Sequence, residues 1–310
     1  MLNVIKTVNL KGFGKKHQGK VRDFYILPDK RILIATDRIS AFDINLGYIP
    51  QKGAVLNLLA AFWFEKTKNI VSNHLISVPD PNVSIVKNAQ LIPIEMVVRG
   101  YITGVTNTSI WGSYEAGERL IYGVKFSDGL RKNQKLPKPV ITPTTKAAKG
   151  HDERLTEKEI IDRKIVSPKI WREMKKAALS LFDRGTKICE KAGIILVDTK
   201  YEFGLRSGKL ILIDEIHTPD SSRFWVKKTY WERFKKGLEP ENFDKEILRL
   251  WYVKRGYKGD GKPPKMSKKL ISDLSKRYMA IYEKITGKKF IPDLSKNISR
   301  RIQENLHGII

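Results

Sequence analysis

Apolar positions recur along this chain in two spacings, and the changes between them mark out its elements. Residues 11 to 27 (KGFGKKHQGKVRDFYIL) read as a glycine-punctuated basic turn running into a strand, with Arg31 to Thr36 as a second strand paired to it. After Ala54, residues Val55, Leu58, Leu59, Phe62 and Trp63 fall at helical spacing, which predicts a helix packing one face on a core. Residues 91 to 105 (LIPIEMVVRGYITGV) predict a buried strand, and the Pro, Thr and Gly of residues 136 to 150 mark a loop. Thr156 with Glu159 forms a capping box for one helix. Ser167-Pro168 opens a longer one, with Ile170, Met174, Ala178, Leu181 and Ile188 as its core stripe. Beyond Trp225, basic helices alternate with Pro/Gly breaks such as GYKGDGKPPK at 256 to 265.

The chain is organised around Ile194 to Trp225. Two apolar runs, Ile194 to Val197 and Leu210 to Ile213, each lead into acids, with a Ser-Gly turn signal between them, so the stretch predicts a β-hairpin. Alternation sets Asp198, Lys200 and Glu202 on one face of the first strand, and Asp214 and Glu215 follow the second run at once. Hard oxygen donors at this density suit Mg²⁺ held together with substrate phosphates, because Mg²⁺ keeps several waters and takes only one or two protein carboxylates. The same charges would also suit a solvated hairpin whose acids and lysine pair with each other. A two-residue turn would set Glu202 opposite Ile213 and away from Asp214. The expectation is therefore a three-residue loop, Ser207-Gly208-Lys209, or a bulge near Gly204, which sets Glu202 across from Asp214.

Other polar groups stand at element ends. Glycine beside Lys20 and Arg22 lets backbone N–H groups approach a phosphate, although an ordinary exposed turn has the same composition. In TDRISAFD, Asp37, Arg38, Ser40 and Asp43 either pair locally or line a cleft. Glu95 lies inside an apolar run and needs a partner, either a salt bridge or a ligand. Arg99, at a strand end before glycine, suits a phosphate monoester. Lys146 and the pair His151-Asp152 sit on a connecting loop, and Asp220 and Arg223 fall in the polar loop HTPDSSRFW.

The 310 residues suffice for a substantial core, and 41% of them are hydrophobic, as in a folded globular protein. Cys189 is the only cysteine, so no intrachain disulfide forms. The N-terminus has no signal-peptide core and no run reaches membrane-span length, so a soluble, cytoplasmic protein is expected. The net charge of +26 calls either for a nucleic-acid or membrane partner or for a lysine-rich surface around a pocket for acidic small molecules. The lysines are scattered along amphipathic helices without a zinc or aromatic RNA-binding signature, which favours solvated surface and no nucleic-acid partner.

Taken in order, GKVRDFY, TDRISAFD, QKGAVLN, PIEMVVRGYITG, TPTTKA with HDE, VDTKYEFG and DEIHTPDSSRFW closely resemble the SAICAR synthetase (phosphoribosylaminoimidazole-succinocarboxamide synthase) family, over the chain to about residue 290. The resemblance implies an α+β, ATP-grasp/kinase-like two-lobed fold. Its parts would be an N-terminal antiparallel sheet lobe over 1–90, a central α+β domain over 91–225 carrying the hairpin, and a C-terminal basic helical segment over 226–310 packing on the core. It implies an ATP- and Mg²⁺-dependent ligase that joins L-aspartate to the carboxylate of 5-amino-1-(5-phosphoribosyl)imidazole-4-carboxylate (CAIR), giving SAICAR, ADP and phosphate in purine biosynthesis. Carried over residue by residue, Lys20, Arg22, Lys146, Glu95 and Met96 attend ATP, and Glu202 and Asp214 hold Mg²⁺. Asp198 and Lys200 stand at the reaction centre, with Asp198 a candidate to accept the amine proton and a structural pair with Lys200 the alternative. Arg99, Arg223, Ser40, Asp220 and Glu215 attend the ribotide or aspartate. After RGYITG, relatives place a serine where this chain reads GVTNTSIWG, which leaves Thr106, Thr108 and Ser109 as candidate hydroxyls. Residues 291 to 310 form an added helical tail without an assigned role, and the oligomeric state, monomer or small homo-oligomer, stays open. A kinase-like phosphotransferase would share the nucleotide site but turn over without aspartate, and a nucleic-acid binder would show salt-sensitive DNA binding.

Overall fold

The computed structural model describes residues 3–42, 44–105, 109–146, 153–295 and 297–309; Asp43, Thr106, Thr108, His151 and Asp152, singled out above, lie outside the described residues. The N-terminal lobe comprises β1 (Lys16–Gln18), β2 (Arg22–Ile26), β3 (Lys30–Ala35), a separate ribbon of β4 (Arg38–Ala41) and β5 (Ile44–Tyr48), α1 (Lys52–Thr67), β6 (Leu75–Asp80) and β7 (Val83–Lys87). Its antiparallel sheet runs β1-β2-β3-β7-β6. Tyr25, Ile32, Ile34, Val83 and Ile85 alternate onto one buried face. Against the other lies α1, where the Ser84 hydroxyl donates to Asn57 Oδ1 at 2.6 Å. Helix and strand approach so closely at Gly53 that a Cβ there would stand 2.3 Å from the Ala35 carbonyl oxygen.

That position changes the expected amphipathic reading of α1. The helix is buried nearly all round, while Leu58 and Phe62 of its expected stripe are only partly covered. It touches both the N-terminal sheet and a C-terminal helix, so it has no broad solvent face.

The central domain follows as β8 (Gln90–Ile102), α2 (Ile110–Glu115), β9 (Leu120–Ile121), β10 (Val124–Lys125), β11 (Gln134–Thr145), α3 (Glu157–Asp162), α4 (Pro168–Lys191), β12 (Ile194–Arg206), β13 (Lys209–Ile213) and β14 (Ser222–Val226). Strand β8 lies between β11 and β12, and the far edge of β12 is shared by β14 and then β13. The capping box of Thr156 and Glu159 and the Ser167 cap form as the sequence predicts. Trp171, Met174, Ala178, Leu181 and Phe182 of α4 join Met96, Val98, Tyr201 and Phe203 in the main core.

One extra residue on β12 gives its charges their direction. Leu196 pairs with Phe224 but Asp198 pairs with Arg223, so Val197 forms a bulge. Ile194 and Leu196 point into the main core before the bulge, and Tyr201 and Phe203 do so after it. Without it, strict alternation would carry Asp198 to the core face with Leu196.

The C-terminal segment adds α5 (Lys227–Lys235), α6 (Glu246–Val253), α7 (Lys268–Thr286) and α8 (Ile298–Leu306). Helix α7 packs on α1. Helix α8 returns to the N-terminal lobe, where Ile302 and Leu306 close its core against Ile5, Val8 and Tyr25. Arg301 there holds the buried Asp80 through both oxygens, at 2.8 and 2.9 Å. The tail is thus a structural part of the N-terminal lobe.

Candidate active site

Strand pairing assembles two rows of charge across the central sheet. In the first, Arg99 of β8, Asp198 of β12 and Arg223 of β14 are direct cross-strand neighbours, and each guanidinium lies 3.1 Å from Asp198 Oδ2. In the second, Glu95 of β8 stands opposite Glu202 of β12, a like-charge pairing that is unfavourable alone. Lys200 offsets it, with Nζ 2.6 Å from Glu95 and 2.5 Å from Glu202, and Lys146 takes the other Glu202 oxygen. Burial disfavours the Lys200 ammonium, but Glu202, Asp214 and Glu95 together raise its pKa above the ordinary lysine value, so it stays charged. Asp198 and Lys200 therefore belong to separate networks and do not pair with each other.

The hairpin turn differs from expectation. Arg206 pairs with Lys209 across the two-residue turn Ser207-Gly208, and Glu202 faces Ile213. The irregularity near Gly204 lies on the β8 side of β12 and leaves the β13 register unshifted. Asp214 reaches the same cavity as Glu202 by another route: its backbone is left-handed, φ +66°, which ends β13 and turns the residue out of the alternation. A non-glycine residue in that region is strained and is commonly found where function fixes it. Arg22 pairs with Asp214 and lies 2.9 Å from Glu215. Burial alone would raise the Asp214 pKa, but Arg22, Lys200 and Lys146 hold it well below the carboxylate range.

These groups line a cavity of about 580 Å³ between the lobes, a size suited to a nucleotide. Gly19, Lys20 and Arg22 form one side, Ser40 and Asp220 lie on the wall, and Phe24, Leu33, Val86 and Leu91 give it an apolar end. Lys87, the last residue of β7, and Ala89, in the short link to β8, also face it. A second, smaller cavity of about 140 Å³ adjoins it and shares Lys200, Asp220 and Lys245. Arg99, Lys200, Arg223, Lys245 and Arg249 face Asp198, Asp220 and Asp244 there, an excess of cations fit for a phosphate monoester.

Of the residues to which the resemblance gives a role, all but one line the two cavities. Met96 is fully buried in the main core and is paired on both sides in the sheet, because odd-and-even alternation along β8 turns it away from Glu95. In TDRISAFD, Asp37 and Arg38 are structural: Asp37 accepts from the Ile5 and Gly53 amides, and Arg38 pairs with Asp23 at 2.8 Å. Ser109 caps α2, accepting from Gly112 N at 3.0 Å. Lys245 and Arg249 were missed because they sit in a helical, lysine-rich stretch where two more cations carry no signal. His74 was missed likewise: it lies in a turn, yet its imidazole lines the large cavity.

An interlobe nucleotide-sized cleft beside a cation-rich pocket defines an ATP-dependent enzyme acting on a phosphorylated small molecule. The SAICAR synthetase family profile matches residues 15–265. The phosphoribosylaminoimidazole-succinocarboxamide synthase of Legionella pneumophila (strain Paris) is 51% identical over 95% of both chains. A solved SAICAR synthase from Saccharomyces cerevisiae, complexed with SAICAR, is 32% identical with a TM-score of 0.79 over 92% of this chain and 99% of that one. A SAICAR synthetase solved with ADP is 26% identical with a TM-score of 0.68, covering 89% of this chain and 100% of that one. The chain belongs to the SAICAR synthetase family.

Proposed function

We propose that the cleft joins L-aspartate to CAIR at the expense of ATP, forming SAICAR, ADP and phosphate, with the large cavity for ATP and the small one for the ribotide. The observation that carries the residue assignment is the unbroken β12 row Asp198, Lys200, Glu202, which runs from one cavity into the other. The donor set fits Mg²⁺: Glu202 and Asp214 supply hard oxygens. Among the described residues no group of three or more His, Cys, Asp or Glu could hold a metal ion by itself. Bound there with ATP, Mg²⁺ would supply charge neutralisation at the phosphoryl oxygens.

Activation precedes amide formation, because a carboxylate is inert towards an amine. An oxygen of the CAIR carboxylate attacks the γ-phosphorus, the bond to the β,γ-bridging oxygen breaks, and ADP leaves behind an acyl phosphate. The aspartate amine then attacks the acyl carbon, the C–O bond to phosphate breaks, and the proton lost from nitrogen leaves with the departing group as hydrogen phosphate. Arg99 and Arg223, held in register by Asp198, clamp the ribotide phosphate with Lys245 and Arg249. Lys200 is a fixed positive charge between the cavities, and Lys20, Arg22 and Lys146 meet the ATP phosphates, which is where catalysis of phosphoryl transfer resides. Ser40, Glu95 and Glu215 shape the same walls. No helix among the described residues is long and apolar enough to cross a membrane.

ADP release measured with ATP, CAIR and L-aspartate, omitting each in turn, tests the reading. Sustained turnover should need all three. ADP formation at an equal rate without aspartate would favour a phosphotransferase instead.

A further inference from the structure

Asp220 is held from outside the central sheet. It lies in the wall common to both cavities, where the γ-phosphoryl group and the ribotide carboxylate must meet if the proposed reaction is right. Lys52, the first residue of α1, is fully buried and places Nζ 2.7 Å from Asp220 Oδ2. Tyr278 of α7, itself 1% exposed, donates its hydroxyl to Asp220 Oδ1 at 2.7 Å. Lysine and tyrosine also touch each other, with the ammonium 5.9 Å from the ring centroid. A fully buried lysine is costly, so a single carboxylate partner leaves little freedom for either group to move apart.

The base of this clamp is itself fixed. Gln51, in a left-handed conformation at φ +68°, exchanges two hydrogen bonds with the Asp293 backbone, at 3.0 and 3.1 Å. Ser275 of α7 donates to the Pro50 carbonyl at 2.7 Å. Burial would raise the Asp220 pKa, but Lys52 above all brings it down to about 2, so the carboxylate stays ionised.

We propose that Lys52 and Tyr278 are positioning residues that hold Asp220 in the shared wall, coupling α1 and the C-terminal helices to the reacting centre. This rests on the proposed ligase reading. Neither residue lines either of the two cavities, so each acts through Asp220.

The test compares SAICAR formation by the wild type, Tyr278→Phe, Lys52→Met, Asp220→Asn and the Lys52→Met/Asp220→Asn double variant, each with its melting temperature. Tyr278→Phe removes only an oxygen and should keep the fold while lowering kcat/KM for CAIR by roughly 10-fold or more, since a hydrogen bond to a charged group is lost. Its KM for ATP should change by less than about twofold, a split that general loosening would not produce. The double variant should lose no more than Asp220→Asn alone, because both changes act on one group. A folded Tyr278→Phe enzyme with wild-type constants for CAIR and aspartate, or additive losses in the double variant, would overturn the proposal while leaving the ligase reading intact. A wild type that forms no SAICAR would overturn both. Should Lys52→Met not fold, the Tyr278→Phe comparison decides alone.

Discussion

At the scale of single residues, Arg223 shows how structure and chemistry share one side chain. Its guanidinium holds Asp198 at 3.1 Å and approaches Glu246 at 3.8 Å while facing the small cavity. Arg223→Ala should raise KM for CAIR by about 10- to 100-fold, from the loss of a charge-assisted contact of about 1.5–3 kcal/mol, and leave KM for ATP nearly unchanged. Steady-state kinetics with each substrate varied in turn checks this; equal rises in both constants would contradict the clamp. His217 gives a pH dependence of known sign. Burial lowers its pKa from 6.5 to about 3, so the folded state keeps it neutral between Trp63 and the Tyr201 hydroxyl, 2.6 Å from Nε2. The unfolded chain takes up a proton below pH 6.5 and the folded chain does not. Stability from this group is therefore full above pH 6.5 and is lost as pH falls towards 3, by about 1.4 kcal/mol per pH unit. His217→Gln should flatten the decline in urea stability between about pH 6 and 4 by that amount. Parallel curves for the variant and the wild type would show that the histidine does not titrate on unfolding.

At the scale of elements, α8 is a cover for the N-terminal sheet, and its removal would expose Val8, Tyr25 and Ile302's other neighbours. Ile302→Ala should cost about 2–5 kcal/mol in urea unfolding, the range for large-to-small changes at buried positions, with KM for ATP in the folded enzyme close to wild type. A loss below about 0.5 kcal/mol would mean that the tail does not close this core. Caps and spacings gave α3, α4, the hairpin and the buried β8, because each rests on local patterning. Residues 136–145, expected as a loop from their Pro and Thr content, instead belong to β11, an edge strand paired with β8, where prolines are tolerated. Register was not legible in the sequence. Two-residue turns and longer loops share the same Ser-Gly signal, and nothing local marks Asp214 as left-handed or Val197 as bulged. Those two backbone irregularities aim the carboxylates, and both are set by packing between segments distant in sequence. The cation-rich wall from α6 was hidden for a related reason, since Lys245 and Arg249 acquire meaning only beside Arg99 and Arg223.

At the scale of the molecule, the two lobes meet on a line of alternating charge whose members neutralise each other without ligands. Glu202 and Asp214 are occupied by Lys146, Lys200 and Arg22, and Asp198 by two arginines. In the proposed reaction, anionic substrates would recruit those cations, and the released carboxylates would become free for a metal or a proton. Of the cations behind the +26 net charge, the proposed reaction calls only on those that line the two cavities. The central claim is that a carboxylate is phosphorylated at the junction of the cavities and then captured by an amine. CAIR carrying ¹⁸O in both carboxylate oxygens, turned over with ATP and L-aspartate, tests that claim most directly. One ¹⁸O should appear in each phosphate released and one should stay in the SAICAR amide; phosphate free of label would rule out the acyl phosphate.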